Sequence, residues 1–232
     1  MNIIDERLDA LTTGKITLDY GSHDTFDGGH CALEVVAWLA DEGHTDAPVS
    51  VSPVLRRFTI SLNDNWSQEQ RQKLIPFLPR MVGTAGDGQD KARSYLALDW
   101  LIRIYTPAWL DLAGLTVEAQ ELRDLRRIVD MVTAEAAGLV IRNAQKKAAA
   151  AWAADAAYAA RAAAYAARDA AYAARDAAYA AAEAAYAADA AARAAYAADA
   201  AGDAAAPTVE TLQASALELL DRMIDPSAAV NE

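Results

Sequence analysis

The feature that most constrains the fold of this chain is an alanine-rich tract in its second half, residues 139–201, which contains neither glycine nor proline. Alanine has the highest intrinsic helix propensity of the amino acids. Within the tract tyrosine recurs every seven residues, a spacing close to two helical turns. The successive tyrosines are Tyr158, Tyr165, Tyr172, Tyr179 and Tyr186. The tract therefore predicts one very long helix that carries these tyrosines on one side.

The charged residues of the tract share the tyrosine side. An arginine stands three residues after several tyrosines and an acid stands four residues after, as in Tyr165, Arg168 and Asp169. At about 100° per residue, these offsets place the arginine about 60° to one side of the tyrosine and the acid about 40° to the other. The candidate ligand-binding residues on this face, named the Tyr–Arg stripe, are Tyr158, Arg161, Tyr165, Arg168, Tyr172 and Arg175.

The opposite face of the tract is alanine almost throughout. Because alanine buries little area, this face gains most when another helix approaches closely, with axes about 8 Å apart. We expect the alanine face to pack as in a coiled coil, against a second copy or against the C-terminal helix, and the protein to be a homo-oligomer. A rigid spacer is the alternative, although a solvated spacer has no need of tyrosines at fixed spacing.

Residues 1–115 predict a compact helical module, because helix-start signals follow one another along them. Ser52 and Thr106 each precede a proline, a pattern that favours an N-cap and the first helical position, and Ser67 opens a capping box. The segment 15–20 alternates polar and apolar residues and is a candidate lone strand. The predicted helices span 5–11, 31–39, 53–63, 67–82, 89–105 and 107–113.

The remaining regions complete an all-α prediction. Two prolines should bend or break the helix at 67–82. Residues 116–205 predict a long helix, which is charged and amphipathic from 117 to about 137, has a joint at Gly138 and is alanine-rich after it. Residues 206–232 predict a short C-terminal amphipathic helix. The expected order is a compact N-terminal helical module, a very long alanine-rich helix and a short C-terminal helix.

The chain is acidic along its whole length, with a net charge of −12. Residues 1–146 carry 15 Lys+Arg against 21 Asp+Glu, residues 147–205 carry 5 against 7, and residues 206–232 carry 1 against 5. Because no segment presents a basic face, nucleic acid is not an expected partner. Charged residues interrupt the tract, so no apolar run reaches the roughly 18 residues of a membrane span, and no membrane partner is expected.

Two features predict a cytoplasmic protein. The first residues, MNIIDE, lack the basic region and apolar stretch of a secretory signal. A single cysteine, Cys31, excludes an internal disulfide, which is typical of proteins in a reducing compartment.

Residues that are able to carry catalysis or to bind a metal gather around Cys31. His23, His30 and Cys31 precede a predicted helix and His44 follows it. Their spacing matches no zinc-binding pattern, and the adjacent His30 and Cys31 diverge by about 100° on a helix. We predict structural roles for them, with no catalytic residue, no metal site and no cofactor. An enzyme that uses this His/Cys cluster remains an alternative.

Two other motifs have structural interpretations. The glycine-rich segment 83–88 leads into a helix, as phosphate-binding loops do, but it lacks their lysine and contains an acid that repels phosphate. We predict a tight turn with Asp87 as the N-cap. Asp99 and Arg103, one turn apart in an apolar helix, predict an ion pair that also has the chemistry to bind a ligand.

Two stretches of the first half resemble a known family. They are CALEVVAWLA at 31–40 and LIPFLPRMVGT at 74–84, the latter continued by YLALDW at 95–100. These stretches resemble an uncharacterised family of alanine-rich proteins of high-GC bacteria and their phages. The resemblance covers about residues 25–115, with a similar tract of alanine, aromatic residues and arginine behind it. It implies a phage-linked accessory role and no particular functional residues.

Three hypotheses follow for the function. The first is a non-enzymatic oligomeric binding or scaffold protein assembled through the alanine face. The second is a phage anti-defence sponge that sequesters a signalling nucleotide, because tyrosine and arginine on one face suit base stacking and phosphate pairing. The third is the enzyme that uses the His/Cys cluster. The first two imply a homo-oligomer, and the second adds a small anionic ligand.

Overall fold

The computed structural model describes residues 3–154, 161, 163–168, 170 and 205–227. All regular secondary structure in these ranges is helical, which confirms the all-α class. The chain forms two compact units, one made of residues up to Asp90 together with those from Leu220 onward, the other of Lys91–Leu219. No helix in the described ranges combines the length and the apolar composition that crossing a membrane requires.

The first unit is built around a short, almost completely buried helix. Its helices are α1 (Asp5–Thr12), α2 (Ala32–Leu39), α3 (Pro53–Asn65), α4 (Gln68–Gln72) and α5 (Leu78–Met81), with 3₁₀ turns at Phe26–Gly28 and Ile75–Phe77. Every residue of α2 except Trp38 is buried, and α2 contacts α1, α3 and α5. The apolar run of its sequence therefore forms the core of this unit.

The second unit contains a longer series of helices. They are α6 (Asp90–Trp100), a π turn (Leu101–Tyr105), α7 (Thr106–Leu112), α8 (Thr116–Arg123), α9 (Met131–Ala154) and the first part of α10 (Ala206–Ile224). Residues 163–168 are also helical. The core of the unit is rich in large aromatic side chains: Trp100 lies 5.3 Å from Tyr105, centroid to centroid, and Tyr105 lies 6.2 Å from Trp109.

The predicted N-caps of two helices are confirmed. The Ser52 hydroxyl accepts a hydrogen bond from the N–H of Val54 at 3.2 Å, and the Ser67 hydroxyl accepts one from the N–H of Gln70 at 3.3 Å. The expected break near Pro76 and Pro79 is also present, since α4, the 3₁₀ turn and α5 replace a continuous helix. Local capping and proline geometry determine these boundaries.

The candidate strand at 15–20 was wrong, because this segment has no regular secondary structure and the backbone of Leu18 binds side chains. Gln72 accepts from the N–H of Leu18 at 2.9 Å and donates to its carbonyl at 2.9 Å. Gln68 donates to the same carbonyl at 2.8 Å. Two amide side chains of one helix thus satisfy the backbone as a neighbouring strand otherwise does.

The predicted N-cap at Thr106 was also wrong, because α7 follows the π turn Leu101–Tyr105 without a break and Thr106 is already helical. Pro107 has no N–H, and in a regular α-helix its ring clashes with the carbonyl four residues earlier. The chain avoids this clash by widening into the π turn Leu101–Tyr105. The Thr106 hydroxyl donates to the Leu101 carbonyl at 2.8 Å, within the widened turn.

The continuous helix expected from 117 to about 137 is interrupted at residues 124–130. In this break the N–H of Ile128 donates to the buried Asp99 carboxylate at 2.7 Å, and Asp130 then caps α9 by accepting from the N–H of Thr133 at 2.8 Å. Gly138, expected as a joint, lies inside α9. A long-range contact from Asp99 has displaced the joint toward the N-terminus.

The alanine-rich tract is described in part. It is helical within α9 and again at 163–168, but most of the tract lies outside the described residues, so one very long helix stays a prediction. The division into residues 1–115, 116–205 and 206–232 likewise stays a prediction.

Candidate functional site

The Tyr–Arg stripe is described at Arg161, Tyr165 and Arg168, and all three residues are exposed. The Arg168 guanidinium carbon lies 4.9 Å from the centroid of the Tyr165 ring, and that of Arg161 lies 6.0 Å from it. Both distances suit cation–π attraction. The structure therefore brings these three candidates together. The other three, Tyr158, Tyr172 and Arg175, lie outside the described residues.

The alanine face behind this part of the stripe is covered within the chain. The buried residues of this face are Ala163, Ala164, Ala166, Ala167 and Ala170. The Thr106 hydroxyl lies 3.4 Å from the Ala166 carbonyl, so the backbone of the tract approaches the start of α7 closely, as small side chains permit. The contact shown for this face is with the start of α7, which is neither of the two expected partners, a second copy or the C-terminal helix, and Tyr165 lies on the exposed side.

A second cluster, in the first unit, is centred on the buried carboxylate of Glu34, which is 1% exposed. Its oxygens accept from the backbone N–H groups of His23 and Cys31, each at 2.7 Å, and from Nδ1 of His23 at 2.9 Å. Burial alone raises the pKa of Glu34, but these N–H groups of His23 and Cys31 offset burial and hold the pKa below its ordinary value of 4.5. Glu34 is therefore ionised at neutral pH and joins loop 21–30 to α2.

His44 extends the cluster from the other side. Its Nε2 donates to the His23 carbonyl at 2.6 Å and lies 3.5 Å from a Glu34 oxygen. Phe26 stacks between His30, at 4.0 Å between centroids, and Trp38, at 4.7 Å, and the Arg7 guanidinium lies 5.5 Å from the Trp38 ring centroid. The loop is thus held by hydrogen bonds at Glu34 and by aromatic stacking beside it.

Gly29 makes the close approach of this loop possible. Its φ is +130°, a backbone conformation that is restricted essentially to glycine. A Cβ at this position would lie 2.7 Å from the His23 ring and 3.1 Å from a carboxylate oxygen of Asp19. The absence of a Cβ at Gly29 therefore allows the His23 ring to lie against the loop backbone.

Cys31 has the environment of a structural thiol. The side chain is fully buried, and burial raises the pKa of the thiol from 9.0 to about 12. Its sulfur accepts from the N–H of Glu34 at 3.5 Å, while Glu34 accepts from the N–H of Cys31, which forms a capping box at the start of α2. A nucleophilic cysteine requires a thiolate at neutral pH, and this arrangement disfavours one.

This environment predicts low thiol reactivity. With a pKa of about 12 in place of 9.0, the thiolate fraction at pH 8 is about 1,000-fold lower than in an ordinary cysteine. We expect Ellman's reagent to modify the folded protein at least ~100-fold more slowly than the same protein in denaturing urea. The unfolded chain is an internal control because Cys31 is its single cysteine. Equal rates in the two states contradict the structural role.

Sequence analysis identified the histidines and Cys31 but missed the residue that joins them. Glu34 stands three residues after Cys31, the spacing of a capping box, yet cysteine is an unusual N-cap and the signal was not recognised. In the described part of the chain, no group of three or more His, Cys, Asp or Glu side chains is placed to hold a metal ion.

The glycine-rich segment 83–88 forms a turn that binds protein groups. The N–H groups of Gly83 and Ala85 both donate to the Ser50 carbonyl at 3.0 Å. The Asp87 carboxylate accepts from the N–H of Gln89 at 2.9 Å, but α6 begins at Asp90, so Asp87 lies within the turn and does not take the predicted N-cap position. The backbone donors of a phosphate-binding loop are thus already used in part.

The second unit also contains an open cleft of about 370 Å³ beside α7. It is lined by Ala108, Asp111, Leu112, Arg123, Pro207, Thr208 and Thr211. The two charged side chains of this lining, Asp111 and Arg123, bind each other. The predicted ion pair of Asp99 and Arg103 is present, with 3.4 Å between the guanidinium nitrogen and the carboxylate oxygen. The Asp99 carboxylate also accepts from the N–H of Ile128. The Asp111–Arg123 pair connects α7 to α8, whereas the Asp99–Arg103 pair lies within one continuous helical stretch.

Comparison with known proteins gives no match: no family model, no curated protein and no solved structure is significantly similar to this chain. The resemblance to the alanine-rich family of bacteria and phages therefore stays a prediction.

Proposed function

We propose that this chain is a non-enzymatic, homo-oligomeric binding or scaffold protein of the cytoplasm that presents the Tyr–Arg stripe to its ligand. The observation that carries the proposal is the exposure of Arg161, Tyr165 and Arg168 on a segment whose alanine side is buried. Because the alanine face is buried at this point, Arg161, Tyr165 and Arg168 are directed to the solvent. The bulky side chains then serve a surface role, because the core contacts of this segment come from alanine.

The proposed scaffold is one long helix over residues 139–201. Its support is the helical state of α9 and of residues 163–168, together with a sequence that is free of glycine and proline across the whole range. On such a helix the heptad repeat presents a tyrosine about every 10 Å along one side. A repeated surface of this kind suits a ligand or partner that is bound at several equivalent positions.

The stripe favours a planar anionic ligand, and a sponge for a signalling nucleotide is therefore the second candidate function. The support is the position of Arg161 and Arg168 over the Tyr165 ring, since this combination offers stacking to a base and charge-assisted hydrogen bonds to a phosphate. Because the chain has a net charge of −12, an anion requires such local arginines to bind. The resemblance of residues 25–115 adds a phage-linked accessory role to this proposal.

Removing the two described arginines is expected to abolish anion binding. We predict that Arg161→Gln/Arg168→Gln raises the Kd for a bound nucleotide at least ~10- to 100-fold, since each charge-assisted hydrogen bond contributes about 1.5–3 kcal/mol. The helix content should not change, because glutamine is also a good helix former. Isothermal titration calorimetry with cyclic di-GMP, cyclic AMP and ADP-ribose measures the Kd, and far-UV circular dichroism measures the helix content.

Lys15→Gln is the matched control, because it removes one exposed positive charge from the other unit and should leave the Kd unchanged. Absence of binding by all three nucleotides removes the sponge hypothesis. Native mass spectrometry of the protein, before and after incubation with cell extract, then tests the broader proposal. A monomer without any added mass in both samples contradicts a homo-oligomeric binding protein.

A further inference from the structure

The outer face of α9 carries an exposed apolar row. Val132 is 74% exposed, and Leu139, seven residues later on the same face, is 63% exposed. The opposite side of α9 is buried at Ala134, Ala137, Ile141, Ala144 and Ala148. The helix is therefore anchored along one side, whereas Val132 and Leu139 point outward. Apolar residues held outward at heptad spacing are typical of a helix that meets another helix.

Charged residues flank this row in a definite order. At about 100° per residue, Glu135 and Arg142 lie about 40° and 60° to the same side of Leu139. Lys146 follows one heptad after Leu139, in line with the row, and Glu135, Arg142 and Lys146 are all exposed. The acidic side chain thus precedes the centre of the row, and the basic side chains follow it.

We propose that this face binds a second copy of the chain, with the two α9 helices antiparallel and a two-fold axis beside Leu139. The proposal deepens the proposed oligomeric scaffold and rests on it for the expectation of self-association. In this proposal the two copies contact each other through the outer face of α9 and not through the alanine face. In this arrangement Leu139 packs against the partner's Leu139, and on each side of the axis Val132 packs against the aliphatic stem of the partner's Lys146.

Charge order selects the antiparallel direction. Around an axis at Leu139, Glu135 of one copy lies about 6 Å before the axis and Arg142 of the other about 4.5 Å after it, at a rise of 1.5 Å per residue. Both lie on the same flank, so each interface has two Glu135–Arg142 pairs. A parallel pair sets this flank of one copy against the Ala136–Asn143 flank of the other, so it forms no Glu135–Arg142 pair. The charges thus determine orientation, while the apolar row supplies most of the affinity.

The expected interface is small, because one face of a single helix from each copy contributes to it. We expect a Kd on the order of 1–100 µM. Sedimentation equilibrium of the whole protein over a concentration range that spans these values is the first measurement. A parent protein that stays monomeric up to about 200 µM, above this range, contradicts the proposal.

Charge reversal tests which face is used. Glu135→Arg places two arginines together in each of the two pairs and is expected to raise the dimer Kd at least ~10-fold, whereas Glu135→Arg/Arg142→Glu restores opposite charges and the parent Kd. Leu139→Asp is expected to raise the Kd more than ~10-fold, because it places two carboxylates at the axis. Circular dichroism of each variant reports whether α9 is still folded. An oligomer that none of these changes affects assigns assembly to another surface and leaves the scaffold proposal intact.

Cysteine crosslinking tests the direction. Ala136 and Asn143 are exposed on the other flank of the row, about the same distance before and after the axis. Under mild oxidation, Ala136→Cys/Asn143→Cys is expected to form a covalent dimer, and Ala136→Cys alone is expected to form little. The buried Cys31 does not compete. A protein that dimerises but does not crosslink through Ala136→Cys/Asn143→Cys overturns the proposed geometry. Nucleotide binding by the Tyr–Arg stripe, measured on the same variants, separates failure of this interface from failure of the proposed ligand site.

Discussion

Replacing Glu34 with alanine is expected to lower the free energy of unfolding by about 3–5 kcal/mol. The carboxylate is 1% exposed and accepts three hydrogen bonds, from the backbone of His23 and Cys31 and from the His23 ring. Without it these donors are left in a buried position with no acceptor. Urea denaturation followed by tryptophan fluorescence measures the change, because Trp38 stacks on the loop that Glu34 holds.

Two further variants separate the charge of Glu34 from its shape. Glu34→Gln retains one acceptor oxygen and is expected to lower the free energy of unfolding by about 1–3 kcal/mol. Glu121→Ala, which removes an exposed glutamate of α8, is expected to change the free energy of unfolding by less than about 0.5 kcal/mol. If Glu34→Ala is as stable as Glu121→Ala, the loop 21–30 does not depend on the buried carboxylate.

The same carboxylate predicts how stability changes with pH. The pKa of Glu34 in the folded protein lies below its ordinary value of 4.5, so the folded state favours the ionised form. Its contribution is therefore fully present above the unfolded pKa and is lost as the pH falls through the folded pKa. The difference in free energy of unfolding between the parent and Glu34→Gln should thus be largest near pH 7 and narrow below pH 4.5. A constant difference down to pH 3 contradicts this expectation.

Local sequence signals predicted the helices and several of their ends. Ser52 before Pro53 and the capping residue Ser67 operate within a few residues, so the sequence is sufficient to locate them. The pattern of the tract is equally local: Tyr165 was expected on the side opposite the alanine face, and the described residues have Tyr165 exposed and its alanine neighbours buried. Helical periodicity alone determines which of these side chains lie together.

Two of the predictions that failed depended on contacts between distant residues. The break at 124–130 requires Asp99, whose carboxylate binds the N–H of Ile128 twenty-nine residues later. The segment at 15–20 is held by amide side chains from α4. Glu34 was missed because cysteine is an unusual N-cap for its capping box, and because its other hydrogen-bond donors belong to His23, eleven residues before it. None of these pairings leaves a periodic trace in the sequence.

Overfilling the alanine face is the second large effect that we expect. Ala163 and Ala167 lie one helical turn apart and are both 0% exposed, and the neighbouring Ala166 carbonyl lies 3.4 Å from the Thr106 hydroxyl. Leucine at either position forces the two segments apart. We predict that Ala163→Leu and Ala167→Leu each lower the free energy of unfolding by about 1–3 kcal/mol.

The matched control and the oligomeric state decide what this effect means. Ala149→Leu adds the same side chain at an exposed position of α9 and is expected to change the free energy of unfolding by less than about 0.5 kcal/mol. If Ala167→Leu is as stable as this control, the face has more space than the structure shows. If Ala167→Leu instead dissociates an oligomer while the free energy of unfolding of the monomer is unchanged, the alanine face contacts a second copy. Loss of stability at constant oligomeric state is the result expected for alanine packing within the chain, because overpacking then acts on the fold of each copy.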